Sequence, residues 1–570
     1  MGIFGTHTKL SRVTLVALPL ALGLALSPIA AFADGDKPAD HSPASVAEAT
    51  AAAEDSPLSI ATPSDTPATL PLTEATPATS ADSTTSLDDI LGLDDLSIVS
   101  PSVDAMTPTA FNTITEAQSS GNSSSAPDAK NGYALKGNFF QRLAQFYKQD
   151  WAGKNPSATL PAKRGLPAPI DSPPFPFSDW GYGGSPDIGA PDGNTYPLMS
   201  ALGLENSRTK IYGWVATSIN FSTSGHTNFP VSYDIFPNKV ELNQAVLYIE
   251  RLPDTNQNDH FDWGYHVTGF EGIDYRFTTA KGYFSQQLLQ KNHQYGFDPV
   301  LEYVDLYFPV MEGLDVRIGR FLSVPGIEAQ LAPNNYNMTH SLLYTIDPFT
   351  DTGIYGTLKL NKQWAVQLGV SAGHDVAPWT SDAKPSLIAC LNYSTKSNND
   401  NFYGCANGIN DGKYAYNNLQ DYDITWYHKF NSKWHMATEA WYMYEREVPN
   451  VAGNVVNPIT PELGANGAFC KTGMLRCTAP EYAIVHYINR DFSSKFMMGF
   501  RSDFLDDKKG QRTGFATKYT ENTLYATRYI GSTIMLRPEI RFDHSWDLAA
   551  YNGGRAKNQF FFGMDLIYKF

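Results

Sequence analysis

The last residues of the chain, Phe560-Phe-Phe-Gly-Met-Asp-Leu-Ile-Tyr-Lys-Phe570, decide the fold. Successive side chains of a β-strand point to opposite faces, so alternate residues share a face. Here one face is wholly apolar: Phe560, Phe562, Met564, Leu566, Tyr568 and Phe570. The other face carries Phe561, Gly563, Asp565, Ile567 and Lys569. The pattern predicts a strand that meets lipid on one side and a different environment on the other.

The preceding segment shows the same period more sharply. Its apolar face consists of Leu536, Pro538, Ile540 and Phe542, and its opposite face consists of Arg537, Glu539, Arg541 and Asp543. Consecutive charges on one strand face are unusual in a dry core and typical of a channel wall. They form either a pore wall or a ladder of salt bridges that stiffens it, and the two roles are compatible.

Similar segments recur from residue 208 onward, and about fourteen of them are strand candidates, within a range of about 12–16. The candidates are 209–221, 239–251, 261–277, 300–310, 313–321, 352–361, 363–373, 419–430, 432–444, 481–492, 494–505, 514–529, 532–544 and 559–570. Short turns alternate with long loops such as 374–418 and 446–480. Open sheet edges are costly in lipid, so the fold class is all-β: a closed antiparallel transmembrane β-barrel over residues 208–570.

Composition agrees with a membrane barrel. Aromatic residues make up 13% of the 570 residues and charged residues only 18%, against about 25% charged in an ordinary soluble domain. The net charge of −16 argues against a nucleic-acid partner. The sequence contains no nucleophile elbow, zinc-protease motif or phosphate-binding loop, so we predict no catalytic residues, metal or cofactor.

The N-terminal part divides into three regions. Residues 1–33 combine Lys9 and Arg12 with an apolar stretch and a small-residue cleavage site, which predicts a cleaved signal peptide rather than a retained anchor. Residues 34–130 are rich in Ala, Ser, Thr and Pro, which predicts a disordered periplasmic linker. Residues 131–207 hold a predicted short amphipathic helix at 136–151 and a Pro/Gly-rich lead-in.

The four cysteines form two close pairs, Cys390/Cys405 and Cys470/Cys477. Both pairs fall in stretches rich in Asn, Gly or Pro. In an exported protein this spacing predicts two local disulfides within loops.

One long polar segment, residues 322–348, follows a predicted strand and lacks strand periodicity. It either folds into the lumen and narrows it or forms an ordinary extracellular loop. If it folds inward, Glu328, Asn334 and Asn335 face the passing solute. Arg537, Glu539 and Arg541 are the best candidates for the pore wall whichever alternative holds. The full set of predicted pore-lining residues is Arg317, Arg320, Glu328, Asn334, Asn335, Arg501, Arg537, Glu539, Arg541 and Asp543.

Four runs stand out in the predicted barrel: 272–279 (GIDYRFTT), 317–321 (RIGRF), 327–335 (IEAQLAPNN) and 536–543 (LRPEIRFD). With the Pro-rich residues 172–184, they resemble the OmpL-like β-barrel porins of the bacterial outer membrane. The resemblance covers residues 170–570. It implies an outer-membrane pore, but it supplies no substrate and no site residues.

The leading hypothesis is therefore an outer-membrane porin for passive diffusion of small hydrophilic solutes or ions. The alternative is a non-conducting structural or adhesin-like barrel, and a third option is an outer-membrane enzyme. Expected partners are outer-membrane lipid, small solutes and the barrel-assembly machinery, which would read Tyr568 and Phe570 as its assembly signal. The oligomeric state stays open, with a homo-oligomer among the options.

Overall fold

The computed structural model describes residues 135–154 and 196–570, apart from 256, 286–293, 324–325, 362, 398, 452–466 and 494. The predicted signal peptide, the linker and the Pro-rich run 172–184 lie outside the described residues. Within the described ranges, no helix combines the length and apolar character required to cross a bilayer.

The described barrel residues form one sheet of seventeen strands, and every neighbouring pair of strands is antiparallel. The strands are β1 (Thr209–Ser222), β2 (Val240–Arg251), β3 (Asp262–Gly272), β4 (Gly296–Asp298), β5 (Glu302–Phe308), β6 (Leu314–Leu322), β7 (Thr350–Lys359), β8 (Trp364–His374), β9 (Ser386–Ser394), β10 (Asp400–Ile409), β11 (Gln420–Lys429), β12 (Trp434–Pro449), β13 (Arg476–Ser493), β14 (Phe496–Asp507), β15 (Thr517–Ile530), β16 (Ile534–Ser545) and β17 (Asn558–Lys569).

The sheet closes on itself through its first and last strands. β1 pairs with β17 from Trp214↔Lys569 to Ser222↔Phe561. The backbone N–H of Phe570 donates to the carbonyl of Gly213 at 2.9 Å, and the N–H of Gly213 donates back at 3.1 Å. The terminal Phe570 is thus tied into the seam, and closure leaves no open edge between these strands.

The barrel has sixteen strand positions because β4 and β5 both pair with β3 and share one position. The sequence-based count of about fourteen is therefore two too low, and sixteen lies within the predicted range of 12–16. The two missed positions are those of β9 and β10, which lie in the stretch 374–418, where the sequence predicts a long loop; the short β4 matches no candidate either. Small residues such as Ala389, Gly404 and Ala406 dilute the apolar alternation there, so the pattern is weak.

The outward faces of the strands form an exposed apolar belt. Its members include Phe221, Leu247, Val304, Ile318, Ile354, Leu368, Val370, Leu391, Ile424, Ile484, Phe500, Phe542, Phe560, Met564 and Leu566. A continuous exposed apolar surface of this kind suits contact with lipid rather than water. The inward faces are instead occupied by buried polar and aromatic side chains.

Within the described residues, four short α-helices accompany the sheet: α1 (Phe139–Trp151), α2 (Pro197–Leu202), α3 (Leu342–Ile346) and α4 (Tyr551–Gly554). α1 lies where the sequence predicts an amphipathic helix. It begins with a capping box, in which Asn138 accepts from the N–H of Gln141 and the Gln141 side chain accepts from the N–H of Asn138. Short turns such as 431–433 and 531–533 lie at one end of the barrel, together with the start of β1 and the end of β17.

Candidate functional site in the barrel lumen

The long connection between β6 and β7 turns into the barrel. Leu322 and Thr350 are ladder partners at its two ends. Residues 326–349, which we call the inserted segment, are buried along almost their whole length. The segment contains α3, whose N-cap Ser341 accepts a hydrogen bond from the N–H of Tyr344. It contacts β2, β12, β14, β15 and β16, so it crosses the lumen from the β6–β7 side to the far wall.

Glu539 on β16 is the most concentrated anchor of the inserted segment. One carboxylate oxygen accepts from the Asn337 side chain at 2.8 Å and from the backbone N–H groups of Met338 and Thr339 at 3.1 Å. The other oxygen accepts from the Thr339 hydroxyl. The inward-facing carboxylate of Glu539 thus binds four donors from three consecutive residues of the inserted segment. Hydrogen bonds to a charged acceptor are among the strongest in proteins.

Three arginines bind the segment through its carbonyl groups. Arg537 donates to the carbonyls of Ala332 at 2.7 Å and Asn335 at 3.0 Å. Arg541 donates to the carbonyl of His340, and Arg501 donates to the carbonyl of Thr339, each at 2.5 Å. The planar guanidinium presents several donors at once, so one arginine can bind both the segment and a wall carboxylate.

The same arginines are paired with acidic residues of the wall. Arg537 is ion-paired with Asp565, Arg541 with Asp543, and Arg501 with Glu521 at 3.0 Å. Pairing offsets the cost of placing charges where solvent access is limited. The wall is therefore both a ladder of ion pairs and the surface that receives the segment.

Further contacts fix the two ends and the middle of the segment. Glu439 accepts from the N–H of Ile327 at 2.6 Å, and Asp503 accepts from the N–H of Leu342 at 2.8 Å. Gln244 donates to the carbonyl of Gln330 and accepts from the N–H of Ala332. The segment is thus held from several directions, because β2 lies on a different part of the wall from β12 and β14.

Within the segment, Glu328 accepts from the N–H of Ser341 at 3.0 Å and also from its hydroxyl. The Asn335 side chain donates to the carbonyl of Ala329 at 2.6 Å and accepts from the same residue's N–H at 2.8 Å. These bonds fold the segment back on itself. Its backbone can therefore lie inside the barrel, although most of it outside α3 is irregular.

Asp375, just after β8, holds the end of the segment. Its carboxylate accepts from the N–H groups of Phe349 at 3.2 Å and Thr350 at 2.8 Å, and from the Asn417 side chain at 2.8 Å. Burial raises the pKa of Asp375 to about 6, although the hydrogen bonds from Thr350 and Phe349 act in the opposite direction.

All ten predicted pore-lining residues lie inside the barrel, but they are buried rather than open to bulk water. The five arginines Arg317, Arg320, Arg501, Arg537 and Arg541 are at most 1% exposed. On β6, Arg317 pairs with Asp305 at 2.8 Å and Arg320 with Asp298 at 3.1 Å. Asn334 and Asn335 belong to the segment itself. Contact of these side chains with a passing solute stays a prediction.

Several residues that complete this site are not among the predicted pore-lining residues. They are Gln244, Glu439, Asp503, Glu521 and Asp565. Each lies on the inward face of its strand, and strand alternation already places Asp565 opposite the apolar face of β17. Alternation does not reveal the partners, because Glu539 and the donors it binds are about 200 positions apart in the chain.

The cysteines are bonded as Cys390–Cys405 and Cys470–Cys477. Cys390 and Cys405 are direct partners in the β9–β10 ladder, so the predicted loop location of this pair is wrong. The reason is the weak strand pattern around it. Cys477 is likewise part of β13, whereas Cys470 precedes that strand.

Comparison with known proteins identifies one family. A family model described as "Putative beta-barrel porin-2, OmpL-like" matches residues 208–570. No curated protein sequence matches the chain.

Among solved structures, the chain is similar to bacterial porins and outer-membrane channels, among them the following three. The anion-selective porin from Comamonas acidovorans is 11% identical, with a TM-score of 0.40 over 64% of this chain and 99% of that one. The channel DcaP of Acinetobacter baumannii is 11% identical, with a TM-score of 0.41 over 64% and 97%. A loop-deletion mutant of OmpT from Vibrio cholerae is 9% identical, with a TM-score of 0.39 over 64% and 99%.

Proposed function

The chain belongs to the OmpL-like beta-barrel porin family, whose model spans the whole barrel, and on that basis we propose that it is a bacterial outer-membrane porin. In this proposal small hydrophilic solutes or ions diffuse passively through the lumen, and the inserted segment sets the width of the path. Family membership indicates a channel rather than an enzyme.

The observation that carries the proposal is the chemistry of the inward face. Strands β11–β17 direct carboxylates and guanidinium groups inward, among them Asp423, Glu439, Arg501 and Arg541. Buried charges cost free energy even when they are paired, and apolar side chains of similar volume are often as stable or more stable. A barrel that served only as a rigid body would gain from an aliphatic core. A polar interior suits the passage of water and hydrated solutes instead.

The inserted segment supplies the selectivity in this proposal. It crosses the lumen and presents amide and backbone groups, while the wall behind it carries paired charges. A solute moving alongside the segment would exchange part of its hydration shell for these groups. Narrow passage and small single-channel currents follow, because the segment and its anchors occupy much of the cross-section.

We further propose that a signal peptide directs export and that the assembly machinery reads the C-terminal strand. The pairing of β17 with β1 supports the second point, since recognition of the strand that ends at Phe570 would precede closure of the seam. Tyr568 and Phe570 are the residues we assign to this signal.

Planar-bilayer recording of the purified full chain tests the porin proposal. Stable, stepwise currents that rise linearly with voltage would support it. Bilayers that stay silent, although folded protein is shown to have inserted, would contradict it. Swelling of liposomes in sugars of increasing size would then give the size limit for uncharged solutes.

The second candidate is a non-conducting structural or adhesin-like barrel. It is favoured by one observation: the inward-facing arginines are almost fully buried and bound to the segment or to wall carboxylates. The same recordings discriminate the two candidates, because an occluded barrel carries no current until the segment is displaced.

A further inference from the structure

Helix α1 is docked at the short-turn end of the barrel by a specific set of contacts. The carboxylate of Asp150 accepts from the N–H and hydroxyl of Ser532 at 3.0 and 2.8 Å and from the hydroxyl of Thr533 at 2.8 Å. The indole N–H of Trp151 donates to the same Thr533 hydroxyl at 3.0 Å. Gly531 accommodates this carboxylate at φ +61°, because a Cβ there would lie 2.2 Å from an Asp150 oxygen.

A second contact joins α1 to the last strand. The Tyr147 ring lies 5.0 Å from the Tyr568 ring, and its hydroxyl donates to the carbonyl of Lys569 at 3.2 Å. Tyr568 belongs to the apolar face of β17 with Phe560, Met564 and Leu566, which is the outward face of the barrel. The helix therefore packs on the short-turn rim of the barrel, between the outward-facing Tyr568 and helix α2, whose N-cap Tyr196 packs on Tyr212 of β1.

The docked face does not account for all the apolar residues of α1. Phe140 is 76% exposed and Trp151 is 47% exposed, and Ala144 lies exposed between them. At 3.6 residues per turn, positions 140, 144 and 151 share one stripe of the helix. This stripe borders the docked residue Tyr147, so the exposed apolar side chains continue the outward face of β17.

The end of the barrel beside α1 carries its own exposed apolar residues. Phe430, Trp434, Phe492 and Ile530 lie close to the short turns and are 36–52% exposed. Membrane barrels carry such girdles of aromatic residues where hydrocarbon gives way to headgroups. The stripe on α1 is thus continuous with a surface that already suits lipid.

The charges near the stripe have the sign that an anionic surface attracts. Lys148 lies next to the stripe, Arg142 lies on the opposite side of the helix, and Lys136 and Lys154 flank the helix. The helix has one acidic residue, Asp150, and it is buried in the docking contact. A net negative chain therefore presents a locally positive helix beside an apolar stripe.

We propose that α1 is an interfacial anchor that seats in the phospholipid leaflet at the short-turn end of the barrel. Phe140, Ala144 and Trp151 enter the boundary between acyl chains and headgroups, and Lys148 contacts anionic phosphate groups. This role is independent of whether the lumen conducts.

Single-cysteine labelling tests the anchor in the intact protein, because the four native cysteines are paired. An environment-sensitive fluorophore is placed at Phe140→Cys or Ala144→Cys. The matched control is Gln149→Cys, which lies on the opposite side of the same helix from Phe140. Each protein is reconstituted in phosphatidylcholine vesicles with or without phosphatidylglycerol and exposed to brominated acyl chains and to aqueous iodide.

We expect brominated chains to quench the labels at 140 and 144 at least about twofold more than the label at 149, with the reverse order for iodide. Equal iodide access at all three positions would overturn the anchor. Phosphatidylglycerol should increase the quenching of the label at 144 by brominated acyl chains. No increase would overturn the assignment of anionic headgroups as the contact. Ala144→Cys replaces a small exposed residue and should leave the docking of α1 intact. This variant therefore tests the anchor even if Phe140→Cys weakens docking.

Discussion

Replacing Glu539 by alanine removes the acceptor that ties the middle of the inserted segment to β16. Four donors from Asn337, Met338 and Thr339 then lose their partner inside the barrel. Arg501, Arg537 and Arg541 still hold neighbouring carbonyls, so we expect the segment to loosen rather than the barrel to unfold.

The size of the effect follows from the contacts. A buried donor left without a partner costs about 1–3 kcal/mol, and breaking a buried charged network costs about 3–5 kcal/mol in all. Each 1.4 kcal/mol is about a tenfold change in an equilibrium constant. Glu539→Ala should therefore shift the balance from inserted to displaced segment by about 10²- to 10³-fold.

Single-channel recording measures this shift directly. We expect Glu539→Ala to show frequent transitions to a larger conductance that the wild type visits rarely. The matched control is Glu250→Ala, because Glu250 is also buried and inward-facing but bonds to Tyr212 and His266 on the wall. Wild-type gating in Glu539→Ala, or the same change in Glu250→Ala, would refute the anchoring role.

Three further predictions concern charge, docking and pH. The double substitution Arg537→Ala and Arg541→Ala removes two positive charges from the lumen, so it should shift the reversal potential toward cation selectivity. The control Arg490→Ala, near the β13–β14 turn, should leave the reversal potential unchanged. An unchanged potential in the double variant would count against these side chains lining the path. Asp150→Ala removes the carboxylate that binds Ser532 and Thr533. Loss of these hydrogen bonds should weaken docking of α1 by about 2 kcal/mol, so tryptic cleavage at Arg142 and Lys148 should become about 30-fold faster. Cleavage at the wild-type rate would show that these bonds do not hold α1. Burial raises the folded-state pKa of Asp375 from 3.8 to about 6, so the folded state binds more protons between these values and stability falls as the pH rises through this range. The loss is about 2.4 kcal/mol between pH 4 and 7. Urea unfolding of Asp375→Asn should lack this loss, and an equal pH slope in both proteins would contradict the assignment.

The strands with large apolar side chains on one face were predictable from the sequence. β16 and β17 show why: their alternation is unbroken, and lipid on one side leaves no other arrangement for those residues. β9 and β10 escaped prediction because Ala, Gly, Asn and Cys fill positions that larger apolar residues hold elsewhere. Their cysteines also suggested loops, although Cys390 and Cys405 face each other across a ladder.

The sequence predicted on which face of the strands the site residues lie, but it did not predict which residues they bind. Alternation placed Arg537, Glu539 and Arg541 on the inward face, where the structure has them. It could not show that Arg537 binds the carbonyls of Ala332 and Asn335, since those contacts depend on how an irregular segment folds inside the barrel. Local sequence patterns specify the face of a strand, whereas contacts distant in sequence require the tertiary fold.

The central claim is that a polar channel exists and that the inserted segment narrows it. The most direct test compares single-channel conductance of the full chain with that of a variant in which residues 323–349 are replaced by a short Gly-Ser turn. Leu322 and Thr350 are ladder partners, so such a turn can join β6 to β7 without strain on the barrel. The account predicts small ohmic steps from the full chain and several-fold larger steps from the shortened one. Equal conductance in both, or silence from both folded proteins, would contradict it.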